Sequence, residues 1–316
     1  MSLVSVVIPC YNDARFLPRA LKSVFTQTHR EWEILLVDDG STDDTPRIAA
    51  ACGDRIRYFR RENRGAGAAR NLGIGEARGE FVAFLDADDI WYPPKLELQL
   101  ELFSRRPELG LVYTDCHSID ETGAVTGFYL KRRPSPRRDP AEELFIRDYM
   151  PNSTIVCRRS CFDKIGLIDT SIRLGEDEEL KIRLADRFPV GHLGRPLAAW
   201  RQHPGNKSLM VARIRETFEH DTDIICRKFP RLVRWRALRT AVMHENCGFF
   251  LLRDGRSGEA RREFLRALAA SPARLRSGGL LLLSLIGGSG FLAAVRWKKR
   301  LQVGRAELPP PRGEAS

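Results

Sequence analysis

The sequence has few cysteines, and none of them is placed where two could act together. They stand at Cys10, Cys52, Cys116, Cys157, Cys161, Cys226 and Cys247, and no C-x-x-C pair occurs. The C-x-x-x-C spacing at residues 157 and 161 has no second pair with which to complete a zinc site. We therefore expect buried free thiols in a reducing compartment, and neither a disulfide framework nor structural zinc.

Other missing features narrow the functional class. The chain opens directly into "SLVSVVIPCYN", without a basic n-region or a cleavage site, so we expect no secretory signal. The absence of G-x-G-x-x-G argues against a dinucleotide-binding Rossmann enzyme. After the first strand, "PCYNDARF" also lacks the Gly-rich, Lys- or Arg-containing phosphate loop usual in nucleotidyltransferases. No combination of basic and aromatic residues indicates nucleic-acid binding.

The composition is that of a globular protein, and the net charge is concentrated in the C-terminal third of the sequence. Of 316 residues, 43% are hydrophobic and 29% charged, so the chain can form one large or two modest soluble domains. The net charge of +11 arises from residues 209–316, which hold 21 basic and 10 acidic residues, whereas residues 1–208 hold 31 of each. This asymmetry predicts an anionic partner for the basic region, and we favour a membrane surface.

Strand and helix patterns alternate through the first part of the chain. Apolar runs predict strands at Leu3–Ile8, Glu33–Val37, Arg57–Arg60 (a short edge strand) and Phe81–Leu85. Between them, residues 14–26 and 65–77 have helical patterns. The alternation predicts an α/β fold with a mostly parallel sheet and helices on both faces. Ligands of such sheets bind beyond the carboxyl ends of the strands, where "PCYN", "DDGS" and "DADD" fall.

The pattern loosens after a further strand at Leu111–Asp115. The basic, Pro-rich residues 131–140, "KRRPSPRRDP", predict a mobile loop, "STIVCRRS" predicts a strand, and "GEDEELKIRLAD" opens a helix. The last hundred residues are helical and basic. Residues 241–270 resemble one helix-turn-helix of the tetratricopeptide kind, which does not make an array.

An uncharged stretch lies near the end of the sequence, at residues 277–295, directly before "RWKKR". Its length alone would allow a membrane-spanning helix, but "GGSG" at residues 287–290 interrupts it. Two other interpretations suit that interruption better. Short helices could lie at the bilayer interface, or they could pack on the soluble fold.

Asp86, Asp88 and Asp89 place three carboxylates in four positions at the end of a strand. Such groups repel one another unless a positive charge lies between them. One interpretation is an acidic turn with a helix N-cap. The other interpretation takes these carboxylates together with two further pairs, Asp38 with Asp39 and Glu176 with Asp177. It predicts that they bind Mg²⁺ or Mn²⁺ together with a diphosphate.

Five motifs then resemble, in order, those of the family-2 inverting glycosyltransferases of GT-A fold: "VSVVIPCYN", "ILLVDDGSTDDT", "NRGAGAARNLG", "FLDADD" and "GEDEEL". The resemblance spans about residues 3–208. It implies a GT-A catalytic domain at residues 1–208, with a nucleotide-sugar-binding half at 1–110 and an acceptor half at 111–208. A basic α-helical region follows at 209–316. It also implies a divalent metal and inversion at the anomeric carbon.

The resemblance assigns residues to the donor. Pro9, Tyr11 and Asn12 would line the nucleoside pocket, Asp39 would accept from the base, and Arg70 and Asn71 would approach the donor. Uracil N3–H is the natural partner of Asp39, which favours a UDP-sugar. Asp38 is expected to orient the turn around Gly40. The alternatives are that residues 9–12 only make a strand-ending turn and that Arg70 is an exposed helix charge.

The resemblance also assigns the metal ligands and the general base. Asp88 would bind the metal, Asp86 would face the ribose or the metal, and His203 would complete the metal shell or touch the diphosphate. Asp177 would be the general base and Glu176 would tune it or position the acceptor. We expect acidic neighbours to raise the pKa of Asp177. The alternatives are a solvated acidic helix start and a structural histidine. For Asp89, the alternative to a site role is a cap for a helix starting near Trp91.

The predicted function is therefore metal-dependent transfer of a sugar to a glycan or lipid-linked acceptor, with no nucleic-acid partner. Family analogy suggests surface-polysaccharide or glycoconjugate synthesis. We expect a cytoplasmic protein that binds peripherally to the inner face of the membrane through its basic region. The alternatives are a catalytically silent nucleotide-sugar-binding scaffold and a nucleotidyltransferase.

Overall fold

The computed structural model describes residues 2–128, 138–206, 210–272 and 275–285. Most of the predicted loop at 131–140 lies outside these ranges, as does the apolar stretch from residue 286 onward, with "RWKKR". The chain forms two compact units that divide between Trp235 and Arg236.

The first unit is built around a sheet that has nine strands within the described residues. The strands are β1 (Val4–Cys10), β2 (Trp32–Asp38), β3 (Arg57–Arg60), β4 (Phe81–Phe84), β5 (Ile90–Trp91), β6 (Leu111–Ile119), β7 (Val125–Phe128), β8 (Val156–Arg158) and β9 (Val190–Arg201). Their order is β3-β2-β1-β4-β8-β6-β9-β5, and β7 pairs with β6. The first four strands are parallel, as predicted, and β3 lies at the edge. Antiparallel pairing enters with β8, between β4 and β6.

The helices of both units were largely expected from the sequence. They are α1 (Leu17–Phe25), α2 (Thr45–Cys52), α3 (Ala66–Glu76), α4 (Lys95–Arg105), α5 (Pro140–Ile146), α6 (Ser160–Ile165), α7 (Glu176–Arg187), α8 (Val211–Lys228), α9 (Arg236–Arg253), α10 (Ser257–Ala270) and α11 (Leu275–Leu285). The predicted α/β fold with a helical C-terminal region is therefore confirmed.

Both faces of the sheet are covered. Successive side chains of a strand point to opposite faces. Val7 and Leu35 accordingly join one hydrophobic cluster, with residues of α3, α5, α6, α7 and α8. Val6 and Ile34 join a second cluster, with residues of α1, α2 and α4. Burial on both faces explains why β1 is apolar at every position except Ser5. It also leaves the carboxyl ends of the parallel strands as the place where polar loops can meet.

The seven cysteines are all free thiols. Six of them are buried and Cys52 is half-buried. Burial raises the pKa of the Cys10 thiol to about 12. Such thiols act as small apolar groups of the core.

The second unit begins with a helix pair. A turn that contains Gly255, with φ at +78°, joins α9 to α10. A Cβ atom at Gly248 would lie only 2.5 Å from Phe264 Cε1, so the two helices approach closely there. Helix α11 covers the first part of the predicted apolar stretch, and its Ser277 hydroxyl donates to Glu245 Oε1 at 2.6 Å. No helix among the described residues is long and apolar enough to cross a bilayer.

Candidate functional site

Asn12 ties together the loops that follow β1 and β2. Its Oδ1 accepts the Thr42 N–H at 2.8 Å, and its own N–H donates to Ser41 Oγ at 3.0 Å. Its φ of +56° is in the left-handed region, which asparagine tolerates better than most residues. The neighbouring Tyr11 is 41% exposed, whereas Pro9 is buried within β1 beside Val37. Their contact with a nucleoside stays a prediction.

Asp38 holds the turn after β2, as expected. The buried carboxylate accepts the Ser41 N–H at 2.7 Å and the Tyr58 hydroxyl at 2.6 Å. Gly40 occupies the turn with φ at +85°, and a Cβ atom there would lie 3.0 Å from the backbone nitrogen of Asn63. The turn therefore requires glycine at this position.

Asp39 is buried beside the loop that leads into α3. Its carboxylate accepts the N–H groups of Arg64 at 3.1 Å and Gly65 at 2.7 Å, and Arg61 Nε lies 3.4 Å away. These contacts fix the start of α3 to the end of β2. A nucleotide base would have to share the same oxygens, and the predicted base contact stays a prediction.

Arg70 lies between carboxylates that are far apart in sequence. Its Nη2 donates to Asp86 Oδ1 at 2.8 Å and its Nη1 to Glu176 Oε1 at 3.3 Å. Burial opposes the charge of the guanidinium, but Asp86, Glu176 and Asp177 outweigh burial and raise its pKa. The side chain is buried, so the interpretation of Arg70 as an exposed helix charge is wrong.

The start of α3 comes unusually close to the start of α7. A Cβ atom at Gly67 would lie 2.9 Å from Glu176 Cγ and 3.1 Å from Ile168 Cγ2. Asn71, one turn further along, donates to Ile168 O and accepts the Ile168 N–H, both at 2.8 Å. Asn71 thus fixes α3 against the segment before α7. A direct contact of Asn71 with the donor stays a prediction.

Asp88 and His203 form a hydrogen-bonded pair beyond the carboxyl end of β4. Asp88 Oδ2 lies 2.9 Å from His203 Nε2 and accepts a longer bond, 3.4 Å, from Asn206 Nδ2. The bond to Asp88 raises the pKa of His203, although partial burial opposes this. The His203 ring also contacts Phe16, with 4.8 Å between ring centroids.

Asp89 is fully enclosed beneath this pair. One oxygen accepts the Ser153 hydroxyl at 2.5 Å, and the other accepts the Arg201 N–H at 2.9 Å. Burial, and then the charges of Asp88 and Asp86, raise its pKa well above the usual range. The predicted cap is wrong, because Ile90–Trp91 is strand β5 and α4 begins only at Lys95, after two prolines.

Asp13 belongs to the same region and was not predicted. Burial, followed by the charge of Asp88, raises its pKa to about 6. The available signal was its position, directly after "CYN" at the end of β1. With Asp86, Asp88 and Asp89, it gives this corner of the molecule an excess of negative charge.

The two carboxyls at the start of α7 differ in environment. Lys181, one turn along the helix, donates to Asp177 Oδ2 at 2.9 Å and also binds Asp148 and Met150 O. Burial would raise the pKa of Asp177, but the charges of Lys181 and Arg70 outweigh it and lower this pKa. The expectation that acidic neighbours raise it is therefore wrong. It is Glu176 whose pKa rises, to about 7, because of burial and the charge of Asp177.

The candidate ligands meet only part of what a divalent metal needs. Within the described part of the chain, no three His, Cys, Asp or Glu side chains are arranged to hold an ion, so Asp86, Asp88 and His203 do not form a complete site. The Asp88–His203 pair would supply at most two ligands. Mg²⁺ is commonly held by one or two carboxylates with water and substrate phosphates. The excess of carboxylates thus suits an ion that arrives with a diphosphate.

Solved structures have a similar fold. TarS (residues 1–349) of S. aureus, in complex with UDP, matches with a TM-score of 0.56 and 18% identity over 96% of this chain and 93% of that one. The mannosyltransferase PcManGT from Pyrobaculum calidifontis, in complex with GDP-Man and Mn²⁺, matches with 0.56 and 18% over 96% and 83%. At this identity the likeness establishes the fold, which is the predicted GT-A fold.

Sequence comparison identifies the family. An uncharacterized glycosyltransferase of Rickettsia conorii is 36% identical over 217 residues, which are 66% of this chain and 34% of that protein. The chain therefore spans about a third of the length of this relative. The family model for glycosyl transferase family 2 matches residues 5–166, about half of the sequence. On this match, and with the motifs placed as described, the chain belongs to glycosyl transferase family 2.

Proposed function

We propose that the chain transfers a sugar from a nucleoside diphosphate sugar to an acceptor hydroxyl, with inversion at the anomeric carbon. The observation that carries this is the Arg70 bridge, which joins Asp86 to Glu176 in one cluster. It brings the end of β4, where the donor is expected, next to the start of α7, where the base is expected. A UDP-sugar is the favoured donor, supported by the UDP complex of TarS.

Asp88 and His203 would hold Mg²⁺ or Mn²⁺, with Asp86 beside them. Asp88 Oδ2 and His203 Nε2 lie 2.9 Å apart, so both could bind one ion in place of the hydrogen bond that now joins them. The Mn²⁺ complex of the Pyrobaculum enzyme supports use of a divalent ion. When bound, the ion would offset the charge that develops on the leaving diphosphate.

Asp177 is the proposed general base. The acceptor oxygen attacks the anomeric carbon as the bond from that carbon to the diphosphate oxygen breaks, and the hydroxyl proton passes to Asp177. Lys181 keeps Asp177 ionised at neutral pH, so it is ready to accept this proton. Glu176, held by Arg70, positions the acceptor. Bringing donor and acceptor into line supplies much of the acceleration, and no covalent sugar–enzyme intermediate forms.

The acceptor is proposed to be a glycan or a lipid-linked sugar in surface-polysaccharide synthesis. The charge of the basic region, residues 209–316, supports attachment to the anionic inner face of a membrane. This would bring the catalytic unit to a lipid-linked acceptor.

The experiment is product analysis with the full-length chain, Mn²⁺ and a panel of nucleotide sugars. We expect release of free nucleoside diphosphate, and Asp177→Asn should remove it while donor binding persists. Asp163→Asn is the matched control, since this carboxylate is exposed on α6 outside the cluster. Release of pyrophosphate would instead identify a nucleotidyltransferase. Donor binding without any released product across a broad acceptor panel would favour the scaffold.

A further inference from the structure

A shallow pocket of about 330 Å³ borders the loop that carries Asp88. Its lining includes the cations Arg19, Lys22 and Arg201, the hydroxyl residues Ser23 and Thr26, and no carboxylate. Nothing in the proposed transfer reaction uses this pocket. The charges of Arg19 and Arg201 repel each other, although Asp89, Asp88 and Asp120 lie near enough to Arg201 to offset part of this repulsion. An anion in the pocket would reduce the repulsion further.

The position of two of these cations follows from helix geometry. Arg19 and Lys22 are three residues apart on α1 and therefore share a face of the helix. Arg19 Nη1 donates to Thr122 O at 3.1 Å, which holds the side chain against the pocket wall. Lys22 has neither a salt bridge nor a side-chain hydrogen bond within the described residues, and it is exposed.

Arg201 has a buried guanidinium nitrogen without a partner among the described residues, and this points to a ligand. The side chain is completely buried, with Nε donating to Asp88 O at 2.7 Å and Nη1 to Asp120 O at 2.9 Å. Its Nη2, however, is buried without any hydrogen-bond partner. A buried N–H group left unpaired is costly, and this one belongs to a charged group. Burial and the nearby charge of Arg19 also lower the pKa of Arg201.

We propose that this pocket is a phosphate-binding site, in which a phosphate group accepts hydrogen bonds from Arg19, Lys22 and the unpaired Nη2 of Arg201. A phosphate matches the lining because it offers several acceptor oxygens, which guanidinium groups bind bidentately. The pocket exceeds the size of one phosphate ion, so it has room for an organic substituent. The ligand is therefore inorganic phosphate or the phosphate of a glycosyl phosphate.

The site is tested by calorimetric titration of inorganic phosphate into the full-length protein. The buffer contains excess chelator and no nucleotide, and chloride keeps the ionic strength constant. We expect saturable binding that weakens at least about tenfold in the double variant Arg19→Gln/Lys22→Gln, because charged hydrogen bonds are lost. The control double variant Arg47→Gln/Arg105→Gln removes the same charge from two exposed helical positions and should bind like the wild type.

Three results would overturn the proposal: no saturable binding by the wild type, equal weakening in both double variants, or loss of phosphate binding in Asp88→Ala. The last would place the phosphate at the metal site. Lys22→Gln alone is the second variant, since Lys22 bonds to nothing in the described fold and its loss should leave folding intact. Titration of glucose 1-phosphate distinguishes a glycosyl phosphate from inorganic phosphate as the ligand. Tighter binding than inorganic phosphate indicates a glycosyl phosphate, equal binding indicates the free ion, and both outcomes support the site.

Discussion

The general base can be identified from the pH dependence of transfer, because the pKa values of the two candidate carboxyl groups are shifted in opposite directions. Lys181 and Arg70 lower the pKa of Asp177, so this group is ionised over the whole usable pH range. Burial and the charge of Asp177 raise the pKa of Glu176 to about 7, so this group is protonated in acid and ionised in alkali. Values of kcat/KM report such groups in the free enzyme.

If Asp177 is the base, Asp177→Asn should lower kcat/KM by roughly 10²–10⁴-fold at every pH from 5 to 9. The wild type should show a shallow decrease below about pH 7, because protonation of Glu176 weakens its ion pair with Arg70. Glu176→Gln should remove that inflection and keep activity within about tenfold of the wild type, the low end for one charged hydrogen bond, because the glutamine oxygen can still accept from Arg70. The assay is nucleoside diphosphate release, with donor affinity measured on the same preparations.

The opposite assignment predicts a different profile. If Glu176 were the base, activity would fall tenfold for each pH unit below about 7, roughly 100-fold at pH 5. Glu176→Gln would then show the large loss, and Asp177→Asn a smaller one. That result would refute the assignment of Asp177. An inflection near pH 7 that persists in Glu176→Gln would refute the raised pKa of Glu176.

Three further predictions concern the metal, the packing of α3 and the basic region. A UDP-sugar should raise the melting temperature only with Mg²⁺ or Mn²⁺ present, and Asp88→Ala should abolish this dependence; equal stabilisation in excess chelator would contradict the metal assignment. Gly67→Ala should lower the free energy of unfolding by about 1–3 kcal/mol, because the added methyl group overpacks against Glu176. Gly75→Ala, which has open space on the same helix, should raise it by up to about 1 kcal/mol. Denaturant unfolding of both variants tests this. The full chain should sediment with anionic vesicles and be released by high salt, while a chain ending near Ser271 stays in the supernatant. Sedimentation of neither would contradict a membrane role, and sedimentation of both would assign it to the part of the basic region before Ser271.

The arrangement of the first four strands could be predicted because their burial leaves a local trace. A strand covered on both faces, such as Val4–Cys10, is apolar at nearly every position, and hydrophobic patterning detects it directly. Ile90–Trp91 leaves no such trace, because two residues show no periodicity and their partners, Ala198 and Ala199, lie more than a hundred positions away. The sequence "IWYPPK" therefore favours a helix that starts near Trp91, where the structure has strand β5.

The residues of the candidate site could be selected from the sequence, whereas the contacts among them could not. The ion pair of Arg70 with Glu176 spans 106 positions, and nothing in the local sequence indicates it. Lys181 could have been found, because four residues after Asp177 on one helix is the spacing of a helical ion pair. The acidic neighbours of Asp177 alone predict a raised pKa, whereas the charge of Lys181 lowers it. Asp148, the second carboxylate on Lys181, comes from another helix–loop segment and gives no local signal.

The charge balance of the cluster explains why donor and metal should bind together. Arg70 offsets only part of the negative charge, because the pKa values of Asp13 and Asp89 are still raised, first by burial and then by the charge of Asp88. The diphosphate of a nucleotide sugar would add about two negative charges to this corner, which like-charge repulsion disfavours. A divalent ion held by Asp88 and His203 would cancel them, since its two positive charges match the two of the diphosphate. We therefore expect donor affinity to be weak in chelator and to recover with the ion.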